Sequence, residues 1–598
     1  MSSSPSAPTP RDRAVVSVLV VLLAAIAAAM LVPDLGRTAA APGASTSPTR
    51  SAAASPPSPA PPRPLREGAV GTASTVNPLL ATSRADQGLV ALVFSGLVRL
   101  GPGQQLLPDL AASWTTDEDA RTWTFRLRDD ARWHDGEPVT AHDVVFTVGL
   151  LRDPSWSGRG AGSWRDVTAT AEDPRTVRFA LQTPIGGFLQ LATQPIVPAH
   201  LLADVPLDRL VEQSFNRMPV GSGPYRLESL DEKRAILVPA VQEAPRLAPA
   251  PDSSTAPDPG DPAATLPVPT PRRPRDAGQA SAPNLEMRFF GDEASLIAAF
   301  EAGRLDSAVG LPPMEARRLA ATPDARLLRY PTSTLTAVVL NLRPTHPELR
   351  DPAVRRALLR AINRAEVVAE AWGGQASVAD APIPAVSWAF DRAASPSVIF
   401  DPAGARRALV ADGWEATDEG LVAPGGDEPF TFELLTPDVG SNTSAFLAGA
   451  AIAADWTAFG VDVTAIGLPP ATLVNERLRK GDFAAAVLDI NVGLDPDLYP
   501  LLGSTQGTSQ GSNLSGLVDP DLDKLLVAAR APGTQAARRE AYRALQARLA
   551  QRHYLLPIAF QDELVVVRDT VRGPEIRQVG GLGDRFWDVL SWRLADDR

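Results

Sequence analysis

No cysteine occurs anywhere in the 598 residues. That absence excludes disulfides, thiolate nucleophiles and every cysteine-ligated zinc or iron–sulfur site. It also excludes a lipid-modified cysteine as a membrane anchor. Histidine is nearly as scarce: His134, His142, His200, His346 and His553 are the full set. No two of them share metal-ligand spacing on one helix face, so no metal or other cofactor is expected. Basic clusters are missing too, and the formal charge of −12 argues against a nucleic-acid partner. The length exceeds what one core can hold and predicts two to four domains.

What is present begins with an apolar run. Arg11 and Arg13 precede Ala14 to Val32, nineteen residues in which Ser17 is the only polar side chain. At about 1.5 Å per residue such a helix nearly spans a hydrocarbon core of about 30 Å. A cleaved signal peptide has a shorter apolar stretch, about 7–15 residues, although Ala39-Ala40-Ala41 offers a signal peptidase a site. An uncleaved transmembrane anchor and a cleaved signal segment both stay open. The arginines place residues 1–13 in the cytoplasm and everything after residue 32 outside it, anchored or secreted.

Proline marks two further segments. Residues 42–66 carry eight prolines and 241–283 carry eleven. Neither stretch holds enough apolar surface to offset its ordering entropy. The first, within a linker over 33–66, is expected to be an extended spacer, and the second a disordered surface insertion.

Between these segments helices and strands mix. Trp123, Phe125 and Leu127 alternate with Thr124, Arg126 and Arg128, the pattern of a half-buried strand. Thr140 and Asp143 form the start of a helix. Asp351-Pro352, Asp401-Pro402 and Asp519-Pro520 each predict a helix capped by aspartate with proline in the first turn. Gly413 is placed to end the second of these. Thr336–Leu342 and Ala484–Ile490 are expected to be strands buried on both faces. Trp114, Trp123 and Trp133 are assigned to the core. The class is α/β or α+β in more than one domain.

Six segments then resemble one known family. They are "TVNPLLATSRADQGLVALVFSGLVRL" with "LLPDLAASWTTDEDARTWTFRLRDDARWHDGEPVTAHDVVFT", then "MPVGSGPYRL", "FFGDEASLIAAFEAGRLD", "VVLNLRPTHPELRDPAVRRALLRAINRAEVV" and "DPDLDKLLVAARAPGTQAARREAYRALQARLAQRHYLLPI". Their order is similar to that in the family-5 extracellular solute-binding proteins of ABC transporters, the dipeptide-, oligopeptide- and nickel-binding group. The resemblance implies a two-lobed α/β fold of the periplasmic-binding-protein type II, with an extra domain beside the first lobe and a hinge between the lobes. On that reading, lobe I takes 67–105, 218–330 and 556–598, the extra domain 106–217 and lobe II 331–555. Three features depart from the family: its Tyr-Trp-Gly segment and its lipoprotein cysteine are missing, and the Pro-rich insertion is added.

The resemblance also supplies site residues. "AAAVLDINVGLDPDLYPLL" is similar to the family's strand and Asp-rich loop, and Asp489 matches the aspartate that pairs with a ligand's amino group. A carboxylate in a water-excluding cleft holds an ammonium strongly; the alternative is a loop cap. Asp495 and Asp497 are expected to be turn residues. Thr82, Ser83 and Arg84 correspond to one side of the family's cleft, with Arg84 able to receive a carboxylate or simply solvated. Trp164 and Trp388 are candidate apolar walls for peptide side chains, or core.

Two other motifs yield no chemistry. His134-Asp135-Gly136-Glu137 is a turn signal first. Gly507-Thr508-Ser509-Gln510-Gly511 fits G-x-S-x-G, and Asp519 and His553 follow in hydrolase order. Its flanks are polar loops, whereas a nucleophile elbow needs a strand before the serine and a helix after it. A calcium site at Asp489, Asn491, Asp495 and Asp497 lacks the glycine and glutamate of an EF-hand loop.

The expectation is therefore a non-enzymatic, extracytoplasmic solute-binding component of an ABC transporter. Its partners would be a small peptide or peptide-like solute, a permease with its ATPase subunits, and the membrane through the N-terminal segment. The protein is expected to be a monomer. The rival is a tethered sensor or envelope interaction protein that uses the fold without transport.

Overall fold

A computed structural model describes residues 63–101, 104–156, 161–240, 282–507, 511–533 and 535–595. The apolar segment 14–32, nearly all of the Pro-rich insertion and Ser509 lie outside the described residues. No helix among the described residues is long and apolar enough to cross a membrane.

Chain order begins with β1 (Leu65–Val70) and α1 (Arg84–Val93). A small antiparallel sheet follows, built from β2 (Ala111–Thr116), β3 (Thr122–Leu127), β4 (Val167–Asp173) and β5 (Thr176–Leu181), with α2 (Ala141–Arg152) packed on it. Its strand order is β2-β3-β5-β4. The alternation read in the sequence sets its interior: Trp123, Phe125 and Leu127 are buried. Trp133 is buried as expected, whereas Trp114 is only half-buried, its ring tilted against Phe125. At the start of α2, Thr140 donates to Asp143 through both its N–H and its hydroxyl.

The chain then returns through β6 (Tyr225–Leu230), β7 (Arg234–Pro239), β8 (Leu285–Phe290), α3 (Glu293–Glu301), β9 (Ser307–Val309) and α4 (Pro313–Ala320). The long β10 (Ala325–Leu340) leads into α5 (Pro352–Arg360), α6 (Arg364–Trp372), α7 (Pro402–Ala411), β11 (Thr431–Pro437), α8 (Thr443–Phe459), β12 (Asp462–Leu468) and β13 (Ala485–Asn491). After α9 (Pro520–Arg530) and α10 (Gln535–Arg552) comes the long β14 (Leu555–Arg568). Asp351, Asp401 and Asp519 cap α5, α7 and α9 through their carboxylates, the Asp-Pro device read in the sequence. Gly413 follows α7 at φ +95°, the left-handed conformation that glycine adopts without strain.

One sheet runs through the body in the order β12-β11-β13-β10-β14-β9-β1-β8-β7-β6, with Ala376–Val378 paired beside β14. Only β10 and β14 cross its middle. They pair from Ala325–Arg568 to Pro331–Asp562, lose register, and resume from Leu335–Phe560 to Val339–Leu555. The break follows from Pro331, which has no N–H for the ladder. Thr332 fills the gap by donating its hydroxyl to the Gln561 carbonyl at 2.8 Å.

The hydrophobic cores divide at the same place. One runs from Leu335 to Phe560 beneath α5, α6, α8 and α10. The other joins Leu65–Tyr330 to Val565–Trp592 and continues into the four-stranded sheet. A third, smaller cluster lies under α3 and α4. The body therefore has two lobes with separate interiors, joined by two strands that carry a bulge, and a four-stranded domain continuous with the first lobe. A bulged pair of crossing strands is the kind of connection about which two-lobed proteins bend.

Candidate functional site

Asp489 stands near the end of β13, where burial gives way: Ala485, Ala486 and Val487 are buried, but Asp489 is exposed. Its carboxylate is held from two sides. The Thr336 hydroxyl on β10 donates to Oδ1 at 2.6 Å, and the Asn442 amide donates to Oδ2 at 2.8 Å. Asn442 also caps α8, accepting from the Ala445 N–H at 3.0 Å. Thr336 in turn accepts from the Gln561 amide at 2.9 Å, on the other crossing strand. Every donor to Asp489 is neutral, and no lysine, arginine or histidine among the described residues pairs with it.

The direction of the carboxylate follows from β-geometry. Side chains two apart on a strand share a face. Asn491, two residues on, donates its amide to the Gly580 carbonyl of the first lobe at 3.2 Å. Asp489 thus shares a face of β13 with a direct contact to the first lobe, near the crossing strands, and carries no ion pair among the described residues. The loop-cap alternative does not describe its contacts.

In the first lobe, Thr82, Ser83 and Arg84 stand at the start of α1. Thr82 is exposed. The Ser83 hydroxyl accepts from the Asp86 N–H at 3.1 Å and so caps the helix. Arg84 forms an ion pair with Glu563 of β14 and keeps about two-fifths of its side chain exposed. Its charge is balanced before any ligand arrives.

The two tryptophans fall elsewhere. Trp164 is 3% exposed. Its ring packs on Phe179 and Phe188 at 6.2 and 6.3 Å, inside the four-stranded domain. The expected ligand wall at Trp164 is corrected to core, because the surrounding rings leave no free face. Trp388 is half-buried, and its ring already has company. The Arg538 guanidinium lies 5.0 Å over it, and Tyr542 meets it edge-on at 5.4 Å.

Asp495 lies in a bend as expected, and it also receives both terminal nitrogens of Arg538 at 2.6 Å each. Burial opposes the charge on Arg538, but the Asp495 hydrogen bonds outweigh it and its pKa rises. Asp497 caps Tyr499 N–H at 3.0 Å and pairs with Arg530 at 3.1 Å; burial raises its pKa. No group of three or more potential metal ligands occurs among the described residues. Gly136 sits at φ +96° in the turn after His134. Asp519 caps α9 and is bonded to Arg548 and Tyr554, and His553 is buried.

A cavity of about 920 Å³ opens elsewhere on the second lobe, lined by Phe430, Phe432, Glu433, Arg477 and Asp482 among others. It lies at the starts of β11 and β13, whereas Asp489 is near the end of β13. Arg477 there is already paired with Glu433 and Asp482, both at 3.0 Å. Size alone does not make it the site.

The model of the bacterial extracellular solute-binding proteins, family 5 (middle) matches residues 105–513. The oligopeptide-binding protein AppA of Bacillus subtilis is 22% identical over 535 residues, covering 88% of this chain and 91% of AppA. Among solved structures, NikZ from Campylobacter jejuni, in complex with Ni(L-His), superposes with a TM-score of 0.66 at 22% identity, covering 88% of this chain and 99% of NikZ. AppA with a nonapeptide gives 0.65 at 20% identity, covering 90% and 100%. At these identities the superpositions establish the fold.

Proposed function

This chain belongs to the family-5 bacterial extracellular solute-binding proteins, and from that premise we propose that it closes its two lobes over a peptide-like solute, gripping the free amino group with Asp489, and delivers it to an ABC permease. The carrying observation is the uncompensated carboxylate. Two neutral donors fix the position of Asp489 and leave its charge without a counter-ion. An ammonium brought into the gap supplies that counter-ion as water leaves, where charge-assisted hydrogen bonds are strongest. A ligand touching both lobes shifts the population towards closure by its differential affinity. No chemical conversion of the solute is required. The N-terminal segment would tether the body outside the cytoplasmic membrane.

Calorimetry with a pool of di- to pentapeptides tests the grip, alongside the same pool acetylated at the N-terminus. The free pool is expected to bind and the acetylated pool to bind at least tenfold more weakly, a difference of about 1.4 kcal/mol. Equal binding of the two pools, or full binding by Asp489→Asn, would reject the assignment.

A further inference from the structure

The two-lobe reading leaves one set of contacts without a role: those between the four-stranded domain and the second lobe. They centre on a glycine pair after β5. The Gly186 N–H donates to the Arg530 carbonyl of α9 at 2.9 Å, and Arg538 Nη1 donates back to the Gly186 carbonyl at 3.3 Å. Backbone thus meets backbone directly across a domain boundary.

Neither glycine is there for its dihedral freedom. Gly187 has φ −89°, and Gly186 lies outside the positive-φ region. The requirement is closeness. A Cβ on Gly186 would stand 2.8 Å from the Ala531 carbonyl oxygen and 2.9 Å from both the Arg530 oxygen and Arg538 Nε. That Nε is buried and makes no hydrogen bond. A Cβ on Gly187 would stand 3.3 Å from the Asp495 carboxyl carbon.

Both sides of this contact are well packed. On one side, Phe188 follows the turn and is fully buried against Trp123, Phe125, Trp164 and Phe179. On the other, Asp495 grips Arg538 from one edge while Trp388 supports its face. A second contact, made from just ahead of that domain, lands beside Trp388, where Gln104 donates to the Val386 carbonyl at 2.9 Å. Both contacts join the second lobe to segments outside it.

We propose that the Gly186-Gly187 turn is a latch that seats on the Arg538–Asp495–Trp388 platform when the lobes close, so that the four-stranded domain helps set the closed state without touching the solute. The proposal rests on the two-lobe reading but not on the identity of any ligand. Gly186→Val should hold the seam apart, because the added carbons have nowhere to go. In small-angle scattering of the full, dialysed chain, we expect a larger radius of gyration than the parent and a closed-to-open ratio lowered about tenfold.

The converse variant exploits the cysteine-free background. Gly187→Cys with Asp495→Cys puts the two Cβ atoms about 3.5 Å apart, within the disulfide range of roughly 3.5–4.5 Å. Oxidised, it should stay compact; reduced, it should relax. A folded Gly186→Val with the parent's radius, or a folded cysteine pair that does not oxidise, would overturn the latch. Failure of peptide binding with the scattering result intact would instead reject the solute assignment alone.

Discussion

Two arginines each hold a carboxylate with both terminal nitrogens, in opposite surroundings. In the first lobe Arg585 grips Glu67, with side chains 5% and 4% exposed. The Ser307 hydroxyl adds a third hydrogen bond to Glu67 at 3.1 Å, and the guanidinium lies 4.0 Å over the Phe586 ring. In the second lobe Arg538 grips Asp495 with 9% and 18% exposed, and one side of the pair is closed by a glycine turn from another domain. The first pair is complete within its own lobe. The second is finished only when a neighbour arrives. The same chemistry is a fixed strut in one place and a landing surface in the other, and what separates them is who supplies the last wall.

The sharpest way to break the contrast is Glu67→Ala. It strands a buried guanidinium and should cost about 3–5 kcal/mol in urea unfolding, whereas replacing both partners by apolar residues should recover most of that. A loss under 1 kcal/mol would remove the distinction between strut and surface.

His553 supplies a buried titratable group with no carboxylate at all. Burial, then Arg356 and Arg355, hold its pKa down to about 4. The unfolded chain therefore takes up a proton near pH 6.5 that the folded chain refuses until about 4. Stability is intact above 6.5 and is lost as pH falls through that window, by about 3 kcal/mol. Asn tolerates the positive φ of 48° at this position, so His553→Asn should fold and flatten that part of the acid-unfolding curve. An unchanged slope would mean that other groups dominate it.

Asp495→Ala should be milder than Glu67→Ala, about 1–3 kcal/mol, because its pair is less buried. It should also enlarge the radius of gyration, an effect Glu67→Ala should not have while the protein stays folded. Smallest of all, Asp489→Asn should leave thermal unfolding within about 0.5 kcal/mol, since the residue is exposed and its hydrogen bonds come from neutral groups, even though peptide binding collapses.

The parts of this fold that sequence reveals are local. Asp351, Asp401 and Asp519 cap through contacts two or three residues away, and the strand at Trp123 shows its own alternation. The lobes and Asp489 came from resemblance, because a strand end reads alike whether it is lined by solvent or by a second lobe. The choice between wall and core at Trp164 is a tertiary one: Phe179 and Phe188 enclose it from other segments. The partners of Asp489 could not be read either, since Thr336 is 153 residues away and Asn442 is 47. A signal for the seam was present in the adjacent glycines at 186 and 187, but its meaning requires Arg538, 352 positions along the chain.

The Glu67–Arg585 pair joins groups 518 positions apart. Strand β1 therefore cannot be clamped until residue 585 has been synthesised. Long-range closure of this kind is slow, and a chain that lacks its final partner stays loose.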